Sequence, residues 1–185
     1  MFLRKTRLEP LPVTMSAVRM GERVLQVGLD DAAIATAIAA KVGLSGNAAI
    51  AVTDESAAAR AQSATANAGL LVDIKVTALA SLPFDSDAFD LVVVHAVRGL
   101  LASLDADARI AAMREWRRVL RHGGRVMTIE AGTATGIGSM FKQSRDAGSS
   151  DASAGIVASL QSAGFRSARM LADREGLKFA EGIKS

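Results

Sequence analysis

A chain of 185 residues carrying a net charge of +3 has the length of one globular domain, since domains run to roughly 100–200 residues. Half of it is apolar and 22% is charged, a balance that excludes an intrinsically disordered chain. The absence of cysteine excludes disulfides, thiolate metal sites and a cysteine nucleophile.

Residues 1–22 read as a leader, with a short helix expected around Thr14–Met20. Its start, MFLRKTRLEPLP, is basic but has no apolar segment long enough for a signal peptide. No apolar run in the chain approaches the roughly 20 residues that span a bilayer, so a cytoplasmic location is expected. A single domain is then expected from residue 23 to residue 185. Arg23–Gly28 (RVLQVG) reads as a buried first strand. Ala32–Val42 is too long and too rich in helix formers for a strand, and reads as a buried helix stopping near Gly43. Ala48–Thr53 gives strand two, followed by an Ala-rich helix capped by Ser56 and stopped by Gly69. Leu70–Val76 and Phe89–His95 give strands three and four.

Within Asp105–Arg121, Ile110, Met113, Trp116 and Leu120 recur at the period of one helical face. His122-Gly123-Gly124 is expected to end that helix, with Arg125–Glu130 as strand five. Ala131–Ser153 is rich in Gly, Ser and Thr and reads as a connection. Asp151 is expected to cap a last helix through Ala163, before strands at Phe165–Ala172 and Leu177–Ile183. Near-continuous Val/Leu/Ile strands alternating with helices point to an α/β fold, a parallel sheet covered on both faces.

The stretch Leu82–Ile129, LPFDSDAFDLVVVHAVRGLLASLDADARIAAMREWRRVLRHGGRVMTI, resembles the second half of a class I S-adenosylmethionine (SAM) dependent methyltransferase. The branch it is similar to acts on small molecules and includes the type-11 group and the quinone-biosynthesis C-methyltransferases. The resemblance implies a Rossmann-like seven-stranded sheet of order 3-2-1-4-5-7-6, the last strand antiparallel. It also implies SAM as cofactor, bound beyond the carboxyl ends of the strands, where strand order reverses.

Against the family loop VLDxGxGxG, the chain reads Val24-Leu25-Gln26-Val27-Gly28, with Gly28 on the first glycine position. Gln26 replaces an acidic residue, while Asp30 and Ala32 fall on the second and third glycines. A carboxylate at Asp30 about 4 Å from that of SAM costs roughly 1 kcal/mol in water and about 4 kcal/mol at an effective dielectric of 20. Read without the family, Asp30 and Asp31 suit a helix N-terminus. Asp54, at the end of strand two, matches the carboxylate that accepts from the cofactor ribose; the alternative is a cap for the next helix. The family's adenine-binding Asp is absent, since Ala78-Leu79 stand there. Leu79 and Leu82 remain as apolar contacts for the adenine or as core.

His95, at the end of strand four, is the candidate general base of the reaction, because an unperturbed imidazole titrates near 6.5. The plain alternative is a partly exposed strand-end histidine. Arg98 is positioned for an anionic acceptor or is an ordinary loop charge. Two histidines and no cysteine give no metal-ligand spacing. Arg114, Arg117, Arg118 and Arg121 are expected to share a helical face, a solvated stripe or a site for acidic partners; no aromatic platform accompanies it, so nucleic acid is not expected. The leading expectation is methyl transfer to a small-molecule acceptor. The four departures at Gln26, Asp30, Ala32 and Ala78 leave a second, a catalytically silent methyltransferase fold acting as a binding or regulatory module.

Overall fold

The computed structural model describes residues 9–132 and 149–185. In chain order the elements are α1 (Leu11–Ser16), β1 (Arg23–Val27), α2 (Ala32–Lys41), β2 (Asn47–Val52), α3 (Glu55–Asn67) and β3 (Asp73–Val76). There follow β4 (Phe89–Ala96), α4 (Ala106–Val119), β5 (Leu120–Ala131), α5 (Ser149–Ser162), β6 (Arg166–Arg174) and β7 (Leu177–Ile183). The strands form a seven-stranded sheet in the order β3-β2-β1-β4-β5-β7-β6. Strands β1 to β5 pair in parallel, and β7 runs antiparallel to both β5 and β6. This is the order expected from the sequence.

The central strands are apolar on both faces because helices cover both. On one face Leu25, Val27, Val92 and Val94 pack with Trp116 of α4 and Leu160 of α5. On the other, Val24, Leu91 and Val93 pack with Val13 of α1 and Ile38 of α2. Residues that alternate along β1 and β4 therefore serve different cores, which fixes the register. The leader takes part: Val13 is buried, and the Arg125 guanidinium donates to the carbonyls of Ser16 and Ala17.

Several element ends differ from expectation, β3 starting at Asp73 rather than Leu70 and β6 ending at Arg174 rather than Ala172 among them, and three have a plain local reason. The first helix lies at Leu11–Ser16 rather than Thr14–Met20, starting behind Pro10 with Pro12 in its first turn, and Ala17 is left-handed at φ +47°. The cap of α3 is Asp54, whose Oδ1 accepts from the Ala57 N–H at 2.8 Å; Ser56 lies inside the helix. Helix α4 stops at Val119, and Leu120 is already extended and paired with Phe89 of β4. The His122-Gly123-Gly124 turn consequently sits within β5, held by hydrogen bonds in both directions between Gly123, Gly124 and Lys184. Helix α5 starts at Ser149, so Asp151 lies within it rather than at its cap and residues 149–153 of the expected connection are helical; residues 133–148 lie outside the described residues.

Candidate active site

Strand order reverses between β1 and β4, so the crevice of this fold opens at their carboxyl ends. There the chain turns sharply at Gly28, which has φ +78°. A Cβ at this position would lie 2.7 Å from the His95 carbonyl oxygen and 2.7 Å from Leu100 Cδ2. Only glycine meets both the dihedral and the contact. The turn opens a cleft of about 430 Å³, counted out to open solvent, lined by Gly28, Asp54, Arg60, Arg98 and Leu100 among others.

Asp30 also lines this cleft, with both carboxylate oxygens engaged. Its Oδ2 accepts from the Val97 N–H at 2.7 Å and its Oδ1 from the Arg98 N–H at 3.0 Å. It therefore ties the loop after β1 to the loop after β4, and two amide dipoles offset its charge. Asp31 caps α2 through the N–H groups of Ala33 and Ile34. Helix-start and loop amides that are free to hold an anion in many nucleotide sites thus already hold the chain's own carboxylates. The Arg98 guanidinium, on the same cleft, has no hydrogen-bond or ion-pair partner among the described residues.

Asp54 lines the cleft at the end of β2 with an exposed side chain, of which only Oδ1 is engaged among the described residues. Capping and ligand binding are compatible there, because they use different oxygens. Leu79 and Leu82 lie elsewhere. Both are buried in the core beneath α4, packed with Met113 and Trp116, and neither lines the cleft.

His95 belongs to β4 and is buried, at 3% exposure, rather than a partly exposed strand end. Its ring shares a strand face with Leu91 and Val93, toward α1 and α2. There its Nε2 lies 2.9 Å from Gln26 Oε1. Gln26 is itself fully enclosed, and its Nε2 donates to the Ala35 carbonyl of α2 at 2.8 Å. Burial pushes the His95 imidazole down to about 4, against a smaller opposing pull from Asp30 and Asp31. The histidine is neutral at pH 7 and a weaker base than its ordinary value suggests.

A second cavity, of about 540 Å³, adjoins the first on this side of the sheet. Its walls are mainly apolar, from Pro12, Ile34, Val97, Ile129 and Leu177, and Asp30, Asp31, His95 and Arg98 also line it. His95, Asp30 and Arg98 border both spaces.

A family model described as a methyltransferase domain matches residues 25–128, more than half of the chain. The chain belongs to that family. It is 30% identical over 118 residues to the ubiquinone/menaquinone biosynthesis C-methyltransferase UbiE of Cupriavidus metallidurans, a match covering 64% of this chain and 46% of that protein. The chain thus spans about half the length of this curated relative. Among solved structures, a SAM-dependent methyltransferase from Aquifex aeolicus superposes with a TM-score of 0.72 at 17% identity, covering 94% of this chain and 87% of that one. PigF with S-adenosylhomocysteine superposes at 0.63 with 18% identity, over 89% of this chain and 51% of that one. At such identities these two establish the fold.

SAM is the cofactor that goes with membership of this methyltransferase family. Of the residues lining the cleft, Asp54 would offer ribose hydroxyls its second oxygen, and Arg98 would offer the amino-acid carboxylate a cation. The arginines on and after α4 are mostly engaged within the fold. Arg118 binds Glu115 and the carbonyls of Leu82 and Phe84, Arg117 binds the Gly164 carbonyl, and Arg121 lies in β5 and pairs with Asp90. Arg121 thus falls outside the expected helical stripe, while Arg114, Arg117 and Arg118 keep one face of α4 by their spacing.

Sequence reasoning placed Gly28, Asp30, Asp54 and His95 at one end of the sheet, and the structure brings them together. It missed the role of Gln26 and the contribution of Pro12 to the second cavity. A signal for Gln26 existed: a polar side chain inside a buried strand demands a polar partner. Strand four offers His95.

Proposed function

We infer that the chain is an enzyme that transfers a methyl group from SAM to a small-molecule acceptor bound in the apolar cavity beside His95. The observation that carries this reading is the position of His95, on the boundary between a cleft with cofactor-type polar groups and a mainly apolar recess that opens to solvent. When bound, SAM supplies an electrophilic methyl group open to in-line displacement, so the task left to the protein is alignment. Pro12, Ile34, Ile129 and Leu177 exclude water around the acceptor, His95 meets its polar group, and Asp54 and Arg98 anchor the cofactor's two ends. The similarity to a protein named for ubiquinone and menaquinone biosynthesis supports an acceptor with a largely apolar body.

Calorimetry with S-adenosylhomocysteine tests the cofactor half. Saturable heat is expected, with binding at least tenfold weaker in Asp54→Ser, which keeps a capping oxygen. Absence of heat at millimolar ligand contradicts it. A second reading, a catalytically silent binding module, is favoured by one observation: Asp30 and Asp31 already occupy the nearby amide donors. Transfer of labelled methyl from SAM to hydroxylated apolar compounds separates the two, since the silent module binds without transfer.

A further inference from the structure

The amide of Gln26 has one possible orientation. The Ala35 carbonyl is only an acceptor, so the group 2.8 Å from it is the amide nitrogen, and the oxygen faces His95. An amide oxygen is also only an acceptor, so the histidine Nε2 at 2.9 Å carries a proton. A neutral imidazole protonated on Nε2 has a bare lone pair on Nδ1. That atom has no hydrogen-bond partner among the described residues, and it is not among their fully enclosed, unpartnered polar atoms, which are Arg109 Nε and Trp116 Nε1. His95 lines the mainly apolar cavity on the ring's side of the sheet, and that cavity is the space Nδ1 is inferred to face.

We propose that Gln26 is a positioning residue that locks His95 in the Nε2–H tautomer, so that Nδ1 accepts a hydrogen bond from a neutral hydroxyl on an otherwise apolar acceptor. The inference rests on the methyl-transfer reading for its acceptor, but not for the tautomer. A lone pair facing the cavity attracts a hydroxyl and repels a carboxylate or phenolate, so anionic acceptors are disfavoured. The replacement of the family's acidic residue by glutamine has a physical reason here. A carboxylate at position 26 beside a buried imidazole favours imidazolium, which has no lone pair to offer. The charged groups near the ring are Asp30 and Asp31 from the loop after β1 and Arg98 from the loop after β4.

The test is a long-range proton–nitrogen correlation spectrum of the full chain with labelled histidine, using His122→Gln to identify the His95 signals. At pH 7 without cofactor, Nε2 is expected in the protonated range and Nδ1 in the unprotonated range. Gln26→Met, which removes the acceptor, is expected to give a tautomer mixture; Gln26→Glu is expected to keep Nε2–H and raise the titration midpoint of His95. Phenol added to the wild type is expected to shift the Nδ1 resonance, whereas anisole and benzoate leave it in place. A wild-type Nδ1–H tautomer, or a Gln26→Met spectrum identical to wild type, overturns the positioning role. An Nδ1 signal indifferent to phenol overturns the acceptor class. Because the tautomer is read without SAM, failure of cofactor binding in calorimetry is a separate result.

Discussion

Gly28 sits where a backbone dihedral and a steric contact make the same demand. In Gly28→Ala the left-handed backbone costs about 1–2 kcal/mol, and the new methyl group meets the His95 carbonyl and Leu100. A total loss of about 2–4 kcal/mol is expected in urea unfolding, accompanied by weaker binding of S-adenosylhomocysteine. Stability equal to wild type would show that the turn relaxes freely. The glycine was legible in the sequence as part of a motif, but its second constraint was not, because Leu100 approaches it only through the pairing of β1 with β4.

His95 also has a consequence in pH. Its folded value is depressed from 6.5 to about 4, chiefly by burial. The unfolded chain therefore takes up this proton first, and the native state is fully favoured only above about pH 6.5. Stability falls as pH drops from there toward about 4, by roughly 3 kcal/mol from this group alone. Glu130 acts in the opposite sense: burial raises its carboxyl, so its contribution is present at low pH and is lost as pH rises through its folded value. Comparing His95→Gln with wild type isolates the histidine. The variant is expected to show a flatter stability profile between pH 4 and 6.5, and parallel profiles would contradict a buried, neutral histidine.

Among the elements, α4 and the loop before β4 depend on one clamp. Arg118 donates to Glu115, Leu82 and Phe84, while Glu115 accepts from the Leu82 N–H. Removing the guanidinium leaves two loop carbonyls and a carboxylate without it, but the site is partly exposed, so screening reduces the cost. Arg118→Met is expected to destabilise by about 1–2 kcal/mol in urea, with affinity for S-adenosylhomocysteine unchanged, because the clamp lies on the α4 side of the sheet. A large loss of affinity at full stability would place this loop in the cofactor site. The same element shows why helix periodicity misleads at its ends. The spacing of Met113, Trp116 and Leu120 suits one helical face, yet Leu120 is drawn into strand pairing with Phe89. Local pattern carries no information about that long-range bond.

For the whole molecule, the parallel α/β class was legible because the central strands are largely apolar on both faces and mostly alternate with helix-forming stretches, whereas the strand order came from the resemblance to the methyltransferase family. The site was legible only in part. Gly28, Asp54 and His95 stand at strand ends, where any parallel sheet of this kind gathers its ligand-facing groups. Asp30 could not be assigned from sequence, since its partners are amides some 67 and 68 residues away, and nothing in their side chains records the bond. Leu79 and Leu82 are apolar in either role, so only packing decides between core and cofactor contact.

The central claim is that the crevice between β1 and β4 holds SAM on the side bordered by His95. Amide chemical-shift mapping of the full chain with S-adenosylhomocysteine tests it directly. The account predicts saturable shifts concentrated at Gly28–Asp30, Thr53–Asp54 and Val97–Leu100. Shifts centred elsewhere on the sheet, or none at saturating concentration, would contradict it.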